Sequence, residues 1–169
     1  MRSWQGTAAS LSRLRDHLEQ QPETCALQYE LAVPIAAKRD SVWQALSDET
    51  NAWWLPDYHT LGAGSVVTLD ARAGGQLIEA LPDGGSLLWY TVQLCLPGDA
   101  LPLVGHLGPQ WGGPATTMLE LALSDSDDGG TVLTVRDALY GCVSESQATS
   151  LRDGWMELFS KGLKAHVKS

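Results

Sequence analysis

The 169-residue sequence predicts an α+β fold, an antiparallel sheet covered by one long C-terminal helix. Two observations carry that prediction. From Leu27 onward, segments with the two-residue period of a strand follow one another, separated by glycine, proline and aspartate turns. From Ser144 to Lys168 the period becomes helical: Leu151, Trp155, Leu158, Phe159 and Leu163 recur at three- and four-residue steps. Runs of strands with helices segregated at the ends define the α+β class. A sheet that shows one face to water must cover the other. The final helix, about 30 Å long, is the segment with the length to do so.

In chain order, residues 1–24 read as an N-terminal helical extension and 25–169 as the main domain. Leu11, Leu14 and Leu18 form a narrow stripe on a helix over 8–21, which Pro22 ends. Three leucines do not stabilise so short a helix alone, so it would dock on the domain or on a second subunit, and a homodimer is one expected partner arrangement. Leu27, Tyr29, Leu31 and Val33 alternate as a half-buried strand, which Pro34 is expected to end. Residues 40–54 return to helical spacing, with a break near Ser47 and Asp48 that divides them into two short helices. Strands are then expected over 66–72, 76–81, 87–96, 101–106, 116–123 and 131–139. Gly74-Gly75 and Asp83-Gly84-Gly85 supply hairpin turns. Ser144 and Gln147 have capping-box spacing at the start of the last helix, and Lys161, Lys164 and Lys168 suit its negative end. Gly154 and Gly162 interrupt that helix at a cost of about 0.5–1 kcal/mol each relative to alanine. Such glycines fit where a packed strand or a bound ligand lies close to the backbone.

Composition narrows the function classes. Eleven basic against 20 acidic residues give a net charge of −9, with no basic surplus to displace counterions, so nucleic acid is not an expected partner. No run of 18 apolar residues occurs, which argues against membrane insertion. The N-terminus shows no signal-peptide pattern, and Arg2 stands where myristoylation needs glycine. Cys25, Cys95 and Cys142 are odd in number and far apart, as in a reduced, cytoplasmic protein. Asp125, Asp127 and Asp128 read as a solvated turn. Seven tryptophans stand against one phenylalanine; tryptophan supplies large apolar area and one N–H donor, which suits both cores and ligand cavities.

Several local strings add a family resemblance. Val42-Trp43-Gln44-Ala45-Leu46-Ser47-Asp48, then Trp53-Trp54, then Gly74-Gly75 with Glu79, Asp83-Gly84, Val92 and Pro97, resembles the helix-grip, START-like (SRPBCC) superfamily. With Gly130-Thr131-Val132-Leu133-Thr134 and Gly154-Trp155, it is similar more narrowly to the branch named after the activator of the heat-shock-protein-90 ATPase. The resemblance covers about residues 25–166 and rests on order and spacing, since no single motif is specific. It implies a sheet curled around the C-terminal helix with an apolar cavity between them. Related domains hold lipids, sterols, polyketides or hormones there, and some catalyse cyclisation or hydrolysis. The name-giving activators carry an additional N-terminal domain, in whose place this chain has a short helical extension.

No nucleophile elbow, paired metal-binding histidines, phosphate loop or dinucleotide fingerprint occurs, and His17, His59, His106 and His166 are scattered. Neither a metal, nor a cofactor, nor a set of catalytic residues is expected. Glu79, Glu120, Arg136 and Asp137 are polar residues within strands, each needing a partner if buried; Arg136, if inward, would anchor a carboxylate. His17 and His166 are expected to face solvent. The candidate ligand-binding residues are Trp53, Trp54, Tyr58, His59, Trp89, His106, Trp111, Leu151, Trp155 and Phe159. The leading expectation is a carrier or sensor that encloses a small hydrophobic or amphipathic molecule. Two alternatives stand beside it: a cyclase- or hydrolase-type enzyme using His59, His106 or Glu79 in the same cavity, and a chaperone-associated interaction module.

Overall fold

A computed structural model describes residues 24–168, so the expected helix over 8–21, with His17, lies outside the described residues. The described residues form seven strands: β1 (Cys25–Ile35), β2 (Val66–Leu69), β3 (Gln76–Ala80), β4 (Ser86–Val92), β5 (Ala100–Leu107), β6 (Ala115–Asp125) and β7 (Thr131–Gly141). They form one antiparallel sheet in the order β1-β7-β6-β5-β4-β3-β2. Between β1 and β2 lie the helices α1 (Arg39–Asp48) and α2 (Thr50–Trp53). The expected break between them falls at Glu49. The final helix α3 runs over Glu145–Glu157 and continues through a π-helical stretch, Leu158–Leu163, into a last α turn, Lys164–His166. Its N-terminus carries the expected capping box between Ser144 and Gln147.

Strand limits differ from expectation for identifiable reasons. β1 passes through Pro34, which lies opposite Val132 on β7. β1 is an edge strand, where a residue without an N–H costs no ladder bond. The segment expected to run over 87–96 ends as a strand at Val92, and the chain then closes a tight turn through a bridge between Leu96 and Ala100.

Alternation along the strands divides the sheet into two chemically distinct faces. Leu31, Val33 and Ile35 of β1, Leu133 and Val135 of β7, Leu119 and Leu121 of β6, and Leu101 and Leu103 of β5 are all buried. They meet Val42, Ala45 and Leu46 of α1 and Leu158, Phe159 and Leu163 of the final helix in a single core. On the opposite face Glu30, Arg136 and Glu120 lie directly across from one another. Arg136 Nε is 2.6 Å from Glu30 and Nη1 is 3.3 Å from Glu120. Arg136 therefore points outward and anchors nothing inside. His166 is half-buried, with Nε2 2.6 Å from Glu49 Oε2, rather than free in solvent.

The helix glycines serve different neighbours. A Cβ on Gly162 would lie 2.3 Å from the Trp53 carbonyl oxygen, so the residue lets the end of α2 touch the final helix. A Cβ on Gly154 would meet only the Tyr58 ring, at 3.6 Å. Gly162→Ala is therefore expected to destabilise the protein by about 1–3 kcal/mol, since the backbone itself must move. Gly154→Ala is expected to stabilise it by about 0.5–1 kcal/mol through reduced chain entropy. Chemical denaturation of both variants beside the parent checks the opposite signs.

Candidate functional site

The residues closing α2 and those on the inner face of α3 form an aromatic plug. Trp53 donates its indole N–H to the Ala45 carbonyl at 2.7 Å and is buried in the core. Trp54 donates to the Tyr58 carbonyl at 3.1 Å and meets Trp155 edge-on, ring centres 6.3 Å apart. Trp155 stacks on Phe159 at 5.4 Å, and Phe159 lies 5.8 Å from Trp53. On the inner side of this plug only a void of about 20 Å³ is left, against Trp53, Phe159 and sheet leucines. On its outer side a cavity of about 230 Å³ opens, between α3, β4, β5 and the turn at Pro56–Tyr58. Trp54, Tyr58, Trp89, Tyr90, Trp111 and Trp155 wall it, with Leu87, Leu88, Leu107, Leu151 and Leu158. Such a volume lies below the roughly 300–1,000 Å³ of drug-sized sites.

Local sequence explains each wall. The β3–β4 register shifts between Leu77 and Ile78, which leaves Trp89 as the extra residue of a bulge. Trp89 and its neighbour Tyr90, which regular strand alternation would send to opposite faces, thereby both reach the cavity. Gly105 on β5 makes room for Tyr90: a Cβ there would lie 2.9 Å from the ring. Tyr58 is tethered to α3 through its hydroxyl, which donates to Glu157 at 3.0 Å, while Lys161 bonds the same carboxylate at 2.7 Å. Trp111 sits in the turn Pro109–Trp111, 40% exposed, 6.3 Å from Trp89. Gln147 fixes this loop to the start of α3 by donating to the Gly112 carbonyl at 3.1 Å.

Seven of the ten residues expected from sequence line the cavity: Trp54, Tyr58, Trp89, His106, Trp111, Leu151 and Trp155. Trp53 and Phe159 form the inner part of the plug and face the inner void, not the cavity. His59 lies elsewhere, its Nδ1 2.8 Å from Ser65 Oγ and 3.8 Å from Glu79. His106 is exposed at the rim, 3.2 Å from Thr116 Oγ1. The cavity is also lined by eight residues that the sequence did not single out as candidates: Leu87, Leu88, Leu107 and Leu158, and Tyr90, Thr117, Ser150 and Gly154. Strand alternation shared with the buried residues of β6 would have found Thr117, whereas Tyr90 and Trp89 depend on a bulge that periodicity does not reveal. The Trp89 Nε1 is buried without a hydrogen-bond partner.

Two buried carboxylates accompany the site. Glu79 is wholly buried and accepts from Ser65 Oγ at 2.6 Å and from the N–H groups of Leu61 and Thr60 at 2.8 and 3.1 Å. Burial pushes its carboxyl up, but these three bonds, together with the nearby Trp89 indole, outweigh it and hold the group below the usual range. Its oxygens are committed to the loop after Tyr58 and do not line the cavity. Asp137 on β7 is 2% exposed and accepts from Thr117 at 2.6 Å and from Tyr29 at 2.8 Å. Burial pushes Asp137 above its usual value, and the bonds from Thr117, Tyr29 and the Ala138 N–H reverse only part of that shift. Burial likewise raises Tyr90 and Tyr29, and the Asp137 charge raises both further. Among the described residues no group of three or more His, Cys, Asp or Glu side chains converges as a metal site.

The two carboxylates predict opposite pH responses. Glu79 has a lowered folded pKa, so its contribution is present above the ordinary value of 4.5 and is lost as pH falls through the folded one. Glu79→Gln, which leaves a buried donor without its acceptor, is expected to cost about 1–3 kcal/mol at neutral pH, a deficit that shrinks on acidification below about pH 5. Asp137 has a raised folded pKa, so its contribution is full below 3.8 and declines as pH rises through the folded value. Any stability deficit of Asp137→Asn is therefore expected to shrink with rising pH. Melting temperatures of both variants and the parent across that range check the two slopes.

No protein-family model matches the chain, and no curated protein matches it. Solved structures do. DynU16, a protein of the dynemicin biosynthetic locus, is 20% identical over 84% of this chain with a TM-score of 0.61; the match spans 47% of DynU16, about half its length. CalU16 from Micromonospora echinospora is 22% identical, covering 88% of this chain and 84% of its own, with a TM-score of 0.58. Ara h 8.0201 is 11% identical, covering 85% and 98%, with a TM-score of 0.63. At these identities the likeness is one of architecture: the chain has the helix-grip fold, a curved antiparallel sheet closed by its C-terminal helix.

Proposed function

We propose that this protein binds a small, mostly apolar molecule in the cavity between sheet and α3, as a carrier or sensor. The observation that carries the reading is the 230 Å³ cavity walled by six aromatic residues. Burial of ligand surface would supply binding at about 25 cal/mol per Å², and the modest volume favours a compact ring system over a long chain. Trp54, Tyr58, Trp89, Trp111 and Trp155 are the residues we assign to the contact, with His106 and Leu151 at its edge. The acidic balance and scattered cysteines support a cytoplasmic location.

A second reading, catalysis in the same cavity, draws support from His106 at the rim and from the likeness to a protein of a biosynthetic locus. It would show as turnover lost in His106→Ala with ligand uptake kept. The narrower resemblance to the heat-shock-protein-90 ATPase activators rests on residue order alone and supports a chaperone-associated interaction module less directly.

Native mass spectrometry of the purified protein, with denatured extraction of any bound molecule, tests the leading reading. Tryptophan fluorescence titration with fused-ring aromatics and medium-chain fatty acids follows. The expected result is a one-to-one adduct with quenched fluorescence. In Gly154→Leu, whose side chain would project into the cavity, affinity is expected to fall at least about tenfold with the fold intact. Absence of any adduct or quenching in the parent protein, or unaltered binding in Gly154→Leu, would overturn it.

A further inference from the structure

Among the residues that line the mostly apolar cavity, Tyr90 and Thr117 bring two hydroxyls close together. The hydroxyl of Thr117 has a single hydrogen, and it is directed at Asp137 Oδ1, 2.6 Å away. The other Asp137 oxygen takes the Tyr29 hydroxyl at 2.8 Å. The buried carboxylate thus orients Thr117 so that its oxygen presents only lone pairs toward Tyr90. Tyr90 Oη stands 3.4 Å from Thr117 Oγ1, longer than the 2.5–3.0 Å of a full O–H···O bond. Only Tyr90 has a hydrogen to offer across that gap. At this point of the wall the Tyr90 hydroxyl is a donor beside the Thr117 oxygen as an acceptor, with a buried acid behind them.

A ligand atom that satisfies both must accept one hydrogen bond and donate another. A hydroxyl does this. A carbonyl or ether would leave Thr117 without a donor, and a carboxylate would in addition bring negative charge toward Asp137. Resting on the cavity reading above, we propose that the ligand is a neutral, compact apolar molecule carrying one hydroxyl, phenolic or alcoholic, which bridges Tyr90 and Thr117. Asp137 acts as a positioning residue that fixes the direction of the Thr117 hydroxyl. Buried polar groups of this kind discriminate strongly, since the wrong ligand leaves them unpaired in a dry site.

Isothermal titration calorimetry with naphthalene, 2-naphthol and 2-naphthoate, three probes sharing one ring system, tests the proposal. The parent protein is expected to bind 2-naphthol about tenfold more tightly than naphthalene, the gain of well-placed hydrogen bonds, and 2-naphthoate least tightly. Tyr90→Phe and Thr117→Val are each expected to bring the 2-naphthol affinity within about threefold of the naphthalene affinity of the same variant. Asp137→Asn, which no longer fixes the Thr117 hydroxyl, is expected to reduce the same ratio. If Thr117→Val fails to fold, Tyr90→Phe, which loses only a hydroxyl with a long contact, carries the test. Equal affinity for naphthalene and 2-naphthol, a preference for 2-naphthoate, or a ratio that survives in the variants would overturn this inference and leave the cavity reading standing. Failure of all three probes to bind would overturn both.

Discussion

The distance at which the final helix rides above the sheet is set by an aromatic contact, and the interior follows from it. Trp53 presses its carbonyl oxygen onto Gly162 and its ring near Phe159, while Trp54 and Trp155 meet edge to face. Indole rings are too large to interleave as leucines do, so while α2 touches the final helix at Gly162, the rings hold that helix off the sheet by their own thickness. At the inner end the rings and the sheet leucines fill the resulting space to within a small void. At the outer end the same spacing persists but no ring occupies it. Core and cavity are two halves of one gap between sheet and helix, divided by the Trp54–Trp155 pair.

The placement of charge follows the same geometry. Arg136 and Asp137 are adjacent in sequence, and strand alternation sends them to opposite faces. Arg136 finds two exposed carboxylates across the ladder, an arrangement that is cheap because water screens it. Asp137 must be satisfied inside, and the neighbouring strands supply Thr117 and Tyr29 for the purpose. A buried acid is costly to keep, and this one stands directly behind the wall of the cavity. Glu79 bears a similar burden elsewhere, where it ties the irregular loop after Tyr58 to β3.

Much of the architecture was legible in the sequence, because the signals that mark it are local. The period change at Ser144, the capping-box pair and the glycine-bearing turns each depend on residues a few positions apart. Trp54, Trp111 and Trp155 were legible as cavity candidates for a related reason: aromatic residues beside a helix end, in a glycine-rich loop and on the covering helix have few other places to go. What was not legible depends on partners distant in the chain. The passage of β1 through Pro34 follows from its edge position, which is a property of strand order. The exclusion of His59 follows from Glu79 and Ser65, which hold it away from the gap. Tyr90 reaches the cavity through a bulge in one strand and a missing side chain in another, and neither leaves a periodic trace.

The pairing of β4 with β5 covers three positions, from Val92 opposite Leu103 to Tyr90 opposite Gly105, and stops there. Beyond Tyr90, residues 86–88 remain paired with β3 while the ladder toward β5 does not continue. The sheet is thus open along a short seam where Leu87, Leu88 and Trp89 face His106, Leu107 and Trp111 around the cavity. Widening that seam breaks no bond of the β4–β5 ladder and leaves α3 seated on its core. Local opening of this kind is far less costly than global unfolding. For a molecule held as proposed above, exchange would be uncoupled from the melting of the domain: residence time would follow the breathing of one seam, so that even a very stable framework would release its occupant quickly.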